Sequence, residues 1–555
     1  MTAKEKYYHW LSSLPSTDPL YHELESIRCN DGEIEDRFYK DITFGTAGLR
    51  GICGAGTNRM NTLTVGRATQ GLANFILKSG EDLSRGVVIA YDCRYHSKEF
   101  SELSAEILAG NGIPVFLFPS LRPTPELSFT IRNRHCLSGI NLTASHNPKE
   151  YNGYKVYWKD GAQISGEVSD GIQEEILALD FFSSFQRLPL EEALHQGIAE
   201  LLDEKVDRQY WDYVESLSLR SGEELDYSVP IVYTPLNGAG SIPVTKILEE
   251  QGYTEVHVVE EQRNPDPEFT TVGYPNPEDP KAFAYSEALG QKVHAEVLIA
   301  TDPDSDRMAV EVLGRDGRYR FLNGNQTGAM LISYLAESKK EKGLLAPKSA
   351  MIKSIVTGDF GRTICNAYGI SVFEALTGFK NICGRIPELQ SKGYTYFFGY
   401  EESIGCAPGE MVHDKDGIAA AMLISEMAAW YRKRGMTLLD ALYSLYEQYG
   451  YFAEDQVSLV LTGEEGAAKI QRIMSTVRDS APDSVIDYLH GYEDIPSSNV
   501  LKFPLEDGTW FAMRPSGTEP KLKFYFYTRK NSEAEADHRI SELRDTVLQK
   551  INAIP

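Results

Sequence analysis

No Cys-x-x-Cys pair occurs in this chain, and its seven cysteines, at 29, 53, 93, 136, 365, 383 and 406, are odd in number and scattered. That pattern excludes a disulfide framework and fits reduced thiols, so a cytoplasmic location is expected. Positive charge is also short: 55 Lys and Arg stand against 80 Asp and Glu, a formal net charge of −25. Such a surface repels polyanions, so neither nucleic acid nor an anionic membrane is expected as a partner. There is no run of about 18 apolar residues, and the opening MTAKEKYYHWLSSLPSTDP lacks a signal-type apolar stretch, so a soluble protein is expected. No serine lies in a Gly-x-Ser-x-Gly elbow, which disfavours α/β-hydrolase acyl chemistry.

What is present is an ordinary folded composition, 42% hydrophobic and 24% charged, over 555 residues. One core cannot grow to that size, so several domains are expected. A β-α-β rhythm predicts strands at Gly86–Asp92, Ile113–Phe118 and Ser138–Leu142, with a helix over Lys98–Ala109. It returns as strands at Val229–Tyr233 and Glu296–Ala300, and again as Ala350–Val356, Ile370–Ala375 and Thr395–Gly399. The last hundred residues change character and predict a small α+β domain. The fold class is therefore α/β: three related units, with boundaries expected at 1–205, 206–322 and 323–455, then an α+β domain at 456–555. In such units functional loops lie beyond the carboxyl ends of strands.

Three loops carry the chemistry. TASHNPK at 143–149 follows a predicted strand, with Pro148 forcing a turn and Ser145 offered as a nucleophile. A serine satisfying backbone amides is the bland alternative. Lys155, ten residues on, can assist proton transfer and neutralise phosphate oxygens. His146 is a rival base, but neighbours in extended chain point to opposite faces, which suggests a supporting role. DPDSDR at 302–307 places Asp302, Asp304 and Asp306 at alternate positions, a set of hard oxygens suited to Mg²⁺. The EF-hand reading fails because Arg307 and Leu313 replace the required glycine and glutamate. A haloacid-dehalogenase-like aspartate nucleophile competes, but leaves the serine loop unexplained. RPSGTEPK at 514–521 combines Arg514, Ser516, Gly517 and Thr518, donors that together suit a phosphate. GYEES at 399–403 adds Glu401 and Ser403 as acceptors for sugar hydroxyls. FGTAGLRG at 44–51 is a flexible turn ending near Arg50.

In this order, FGTAGLRG, TASHNPKEYNGYK, DPDSDR, GYEES and RPSGTEPKLKFY resemble the α-D-phosphohexomutase family, over nearly the whole chain. GAGTNRMN at 54–61, LRPTPELS at 121–128 and LTGFK at 376–380 are most similar to its phosphoglucomutase branch, which also holds phosphopentomutase-like members. The resemblance implies four domains around a central cleft, with Ser145 carried as a phosphoserine and also facing the metal. It implies Mg²⁺ on Asp302, Asp304 and Asp306, with glucose 1,6-bisphosphate as activator. Lys155 would be the general acid/base, aided by His146, with Arg50 and Arg307 around the reacting phosphate. Glu401, Ser403, Thr377 and Gly378 would bind the sugar, and Arg514, Ser516, Gly517 and Thr518 the other phosphate. The implied partners are small sugar phosphates, and a monomer is favoured over an oligomer. The implied reaction interconverts glucose 1-phosphate and glucose 6-phosphate, the pentose and mannose analogues being alternatives. Two departures stand out: Pro303 and Ser305 as spacers between the aspartates, and Tyr400 before Glu401, where it could alter which sugar is accepted. A metal-dependent sugar phosphatase is the rival of another class. A sensor that merely binds sugar phosphates is a third reading, disfavoured because binding alone needs no nucleophile.

Overall fold

The computed structural model describes residues 1–45, 48–183, 185–461, 463–516 and 521–554. The chain forms two compact units, Met1–Phe321 with Gly405–Trp430, and Leu322–Ile404 with Tyr431–Pro555. The expected α/β units are present, and the first two carry mixed sheets.

The first sheet has six strands in the order Leu49–Ile52, Tyr151–Trp158, Ser138–Leu142, Val87–Tyr91, Val115–Leu117, Ala199–Leu201. Val87–Tyr91 and Ser138–Leu142 are parallel and buried along their whole length, as their unbroken apolar runs require. Tyr151–Trp158 then folds back antiparallel on Ser138–Leu142, pairing Lys155 with Asn141. Gly153 is obligatory there, since a Cβ would lie 2.5 Å from the Thr143 carbonyl oxygen and 3.0 Å from that of Leu49. Three helices, Ala3–Ser13, Pro19–Ser26 and Asp31–Phe38, precede this sheet and bury Tyr7, Trp10, Leu24, Ile34 and Phe38 in a core of their own.

The second sheet runs Tyr319–Leu322, Met308–Leu313, Val297–Thr301, Ile231–Thr234, Val256–Val258. Val297–Thr301 is a fully buried strand, parallel to Ile231–Thr234 and antiparallel to Met308–Leu313. Its run of apolar and β-branched residues ends just before Pro303, which has no N–H to continue a ladder. Both sheets therefore end a buried strand at a polar loop.

In the second unit, Ser371–Ala375, Ser349–Ser354 and Thr395–Glu401 lie side by side and parallel. The last part of the chain is an antiparallel sheet, Tyr451–Val460, Lys521–Lys530, Trp510–Pro515, Leu501–Pro504, Ile486–Asp487. Its core draws on Ile473, Met474, Leu501, Met513, Leu522 and Phe524, with helix Glu533–Asn552 contributing Ile540, Leu543 and Val547. Tyr400, expected to bear on which sugar is accepted, is 1% exposed, with its ring against Gly328 and Gly361, where any side chain would collide with it, so it lies in the core behind the loop that carries Glu401.

Candidate active site

In the first unit the predicted residues of two separate loops converge. Ser145 sits just past Ser138–Leu142 in the left-handed region, φ 52°, a strained conformation for a serine. Its Oγ donates to Asp302 Oδ2 at 2.6 Å and lies 3.1 Å from His146 Nδ1. The left-handed turn corrects the expectation for His146: the backbone is not extended at Ser145, so the two side chains share a side. Burial, with Arg307 and Arg50 nearby, pushes the His146 imidazole well below its ordinary range, so it is neutral near pH 7. Arg50 reaches Asn147 Oδ1 at 3.4 Å.

Asp302, Asp304 and Asp306 are 0%, 0% and 2% exposed, and one carboxylate oxygen from each lies within 4.8 Å of the others. The loop is a turn, with Ser305 at φ 55°, rather than an extended alternation. The carboxylates meet because the turn curls: Ser305 N–H donates to the Asp302 carbonyl at 2.8 Å, and Arg307 N–H to Asp302 Oδ1 at 3.0 Å. Lys155 Nζ lies 2.7 Å from Asp304 Oδ2 and 4.0 Å from Asp306 Oδ2. The side chain of Arg307 reaches Glu278 Oε2 at 3.7 Å.

The electrostatics follow from this packing. Burial, then the charges of Asp304 and Asp306, raises the Asp302 carboxyl well above its usual range. For Asp304 burial also acts upward, but the Lys155 ammonium overcomes it and holds the carboxyl low. Burial and Asp304 raise Asp306 against the pull of Lys415 and Lys155. Asp304 Oδ1 and Asp306 Oδ1 have no hydrogen-bond partner among the described residues. Buried unpaired carboxylate oxygens are costly, and a hard divalent cation is the group that would satisfy them, so the residues fit a metal ion.

Several site residues were not legible as such in the sequence. Thr124 clamps the aspartate loop twice: its N–H donates to the Asp304 carbonyl at 2.9 Å and its Oγ1 to Asp304 Oδ2 at 2.8 Å. Asn141 Nδ2 in turn donates to Thr124 Oγ1 at 2.7 Å. Lys415 lies 2.8 Å from Asp306 Oδ2 and 3.1 Å from Asp414 Oδ1. Although burial opposes it, Asp306 and Asp414 push that ammonium above its ordinary range. Arg94, ion-paired to Asp92 at 3.2 Å, donates to the carbonyls of Ser145, Asn147, Pro148 and Tyr151 and so moulds the serine loop. Nothing local in LRPTPELS marks Thr124 as a partner of the aspartate loop, and the DKDG run at 414–417 carries no local sign of what it faces.

The second unit gathers most of the residues expected to bind the sugar and its phosphate. Gly378, at φ 104°, donates its N–H to Glu401 Oε1 at 2.6 Å. Arg514 donates to Thr377 Oγ1. Ser516 N–H donates to the Lys521 carbonyl at 2.8 Å, closing the base of the RPSGTEP loop. Ser403 is half-buried in the turn after Glu401. Glu402, the second carboxylate of the GYEES loop, accepts from Thr357 Oγ1 at 2.9 Å. Gly517 and Thr518 lie outside the described residues.

A buried serine hydroxyl held against a carboxylate trio, with a lysine beside it, brings together the groups that phosphoryl transfer calls for. The family models agree. Phosphoglucomutase/phosphomannomutase alpha/beta/alpha domains I, II and III match residues 41–182, 208–313 and 323–449, and the C-terminal domain matches 461–545. The chain belongs to this family of isomerases, which are intramolecular phosphotransferases. It is 34% identical over 547 residues to a phosphoglucomutase of Staphylococcus aureus (strain bovine RF122 / ET3-1), covering 94% of each chain. It is 35% identical over 511 residues to a phosphoglucomutase of Staphylococcus haemolyticus, covering 88% of this chain and 91% of that one. Among solved structures it shares its fold with a phosphoglucomutase (parafusin) from Paramecium at TM-score 0.69 and 18% identity, covering 93% and 95% of the two chains. A putative phosphomannomutase from Thermus thermophilus matches at TM-score 0.67 and 24% identity, covering 92% and 99%. No described helix is long and apolar enough to cross a membrane.

Proposed function

We propose that this enzyme is a phosphoglucomutase that interconverts glucose 1-phosphate and glucose 6-phosphate through a phosphorylated Ser145 and a bound glucose 1,6-bisphosphate. The observation that carries the reading is the contact of Ser145 Oγ with Asp302 Oδ2 at 2.6 Å, inside a buried trio of aspartates. The name carried by relatives about one-third identical along most of the chain supports it.

In the reaction, the Oγ–P bond of phosphorylated Ser145 breaks as a sugar hydroxyl oxygen bonds to phosphorus, and the hydroxyl proton passes to a base. Lys155 is proposed as that acid/base, with the neutral His146 ring at 3.1 Å fixing the serine rotamer. Asp302, Asp304 and Asp306 would hold Mg²⁺, which when bound offsets charge on the transferring phosphoryl group. Arg50 and Arg307 are proposed to face that group, and Thr377, Gly378, Glu401 and Ser403 to bind sugar hydroxyls. Arg514, Ser516, Gly517 and Thr518 are proposed to grip the phosphate that is not reacting. The bisphosphate then reverses its orientation and its other phosphate returns to Ser145, regenerating the resting enzyme. Domain boundaries at 205, 322 and 455, a monomeric state, and a reducing cytoplasmic setting for the seven free thiols belong to the same proposal.

The test is to incubate purified protein with glucose 1,6-bisphosphate, map phosphorylation, and follow glucose 1-phosphate with and without Mg²⁺. Phosphate on Ser145 and formation of the 6-phosphate without free inorganic phosphate are expected. Stoichiometric release of inorganic phosphate would instead mark a phosphatase. Parallel specificity constants for glucose, mannose and ribose 1-phosphates decide the sugar.

A further inference from the structure

In the first unit, Arg307 closes the aspartate loop, which fixes its backbone. Its N–H donates to Asp302 Oδ1 at 3.0 Å, and its carbonyl accepts from the Asp302 N–H at 3.4 Å. The side chain leaves the loop on a long stem with many rotamers, and Arg50 and Lys415 stand close enough to repel it. What meets its far end comes from a third segment of chain: Glu278 Oε2 lies 3.7 Å from Arg307 Nη1, the two side chains being 35% and 20% exposed. So held, the charge of Arg307 is felt at His146, whose Nδ1 lies 3.1 Å from Ser145 Oγ.

The segment that delivers Glu278 is stiff. In Pro275-Asn276-Pro277-Glu278-Asp279-Pro280, three prolines fix φ. Asn276 Oδ1 accepts from the Glu278 N–H at 3.1 Å, and the Asn276 carbonyl from the Asp279 N–H at 2.9 Å. Asp279 Oδ1 accepts in turn from the Lys281 N–H at 2.9 Å. Upstream, Glu268 accepts from Tyr95 Oη at 2.8 Å and pairs with Lys149 of the TASHNPK loop. The Arg94 guanidinium, which moulds that loop, lies 5.1 Å from the ring centre of the buried Phe269. One stretch of chain thus sets a carboxylate on the serine loop and another on the aspartate loop. A fully exposed ion pair contributes little, because two long side chains must be ordered to make it. Here the turn orders the carboxylate in advance, and both groups are partly buried. On the phosphoserine reading above, we propose that Glu278 is a positioning residue, fixing the direction of the Arg307 guanidinium for the phosphoryl group on Ser145. Glu278 touches no reacting atom. It removes the need to order a loose arginine during transfer, and so acts on the transfer step more than on binding.

The experiment follows phosphate transfer from glucose 1,6-bisphosphate to Ser145 by rapid quench, beside steady-state turnover of glucose 1-phosphate with Mg²⁺, on the full chain. Glu278→Gln, isosteric and uncharged, is expected to slow transfer and kcat about tenfold with KM within about twofold. Glu278→Ala should lose at least as much, and both variants should melt within a few degrees of wild type, since the pair is partly exposed. In an Arg307→Ala background, Glu278→Gln should cause no further loss, because the group it aims is gone. An unchanged transfer rate in both Glu278 variants, or an equal loss with and without Arg307, would overturn the proposal. If wild-type protein takes no phosphate on Ser145, the mutase reading itself fails and the positioning role with it. Wild-type labelling beside unaffected variants sinks the positioning role alone.

Discussion

The two units hold their polar residues in opposite ways. Around Ser145 the buried groups face one another, Lys155 against Asp304, Lys415 against Asp306 and Ser145 against Asp302, and the oxygens left over, Asp304 Oδ1 and Asp306 Oδ1, belong to the aspartate trio. Around Thr377, Glu401 and Arg514 the side chains are half-buried, and the Glu401 contact runs through the backbone N–H of Gly378. On the roles proposed above, the contrast is a division of labour. Stabilising transferred charge requires fixed dipoles and ions in a low dielectric, whereas recognising hydroxyls and a phosphate requires groups that solvent and ligand can reach.

The sharpest way to break that contrast is Ser145→Ala, expected to lower kcat by roughly 10⁴-fold or more while leaving sugar-phosphate affinity nearly unchanged. A variant that still turns over would move the nucleophile elsewhere. Lys155→Met comes next, at about 10²- to 10³-fold in kcat, read in the pH–rate profile as well as the rate. It also strips Asp304 of its counter-ion, so a compensating change in metal dependence is expected. Arg514→Ala should act on the other side of the comparison, raising KM about ten- to a hundredfold with a smaller effect on kcat. A pure kcat effect would blur the division.

Thr124→Val keeps the shape but leaves Asp304 Oδ2 with Lys155 alone. A loss of about 1–3 kcal/mol in unfolding free energy and a weakened metal titration are expected. The smallest effect is a control on burial itself. Glu311, on the strand Met308–Leu313, is pushed from 4.5 up to about 8 by burial, with Glu287 adding to the shift. The folded state binds this proton more tightly than the unfolded one. Its contribution is therefore complete below the ordinary value and is lost as pH rises through about 8. Glu311→Gln should raise the melting temperature by a few degrees near pH 9 and leave it unchanged near pH 4.

Much of the layout was legible. Val87–Tyr91, Ser138–Leu142 and Val297–Thr301 announce themselves as apolar runs closed by polar loops, and a run of that kind can do little else but form a buried strand. The antiparallel return Tyr151–Trp158 was less visible, because its tyrosines, asparagine, glycine and lysine break the apolar pattern. The relation of His146 to Ser145 was misjudged because it depends on a positive φ that only the surrounding loop enforces, chiefly through the grip of Arg94 on its carbonyls. The burial of Tyr400 was not legible either, because the strand Thr395–Glu401 is buried from Tyr396 to Tyr400 and opens only at Glu401.

By itself, then, the order of residues determined the kinds of chemical group available and the loops that carry them, since both depend on neighbours a few positions apart. Which groups meet was decided in three dimensions. Thr124 is 180 residues from Asp304 and Lys155 is 149, and Lys415 reaches Asp306 only because Gly405–Trp430 rejoins the first unit. Contacts so far apart along the chain leave no periodicity to read, and exist only because burying the sheets fixes where each loop must end.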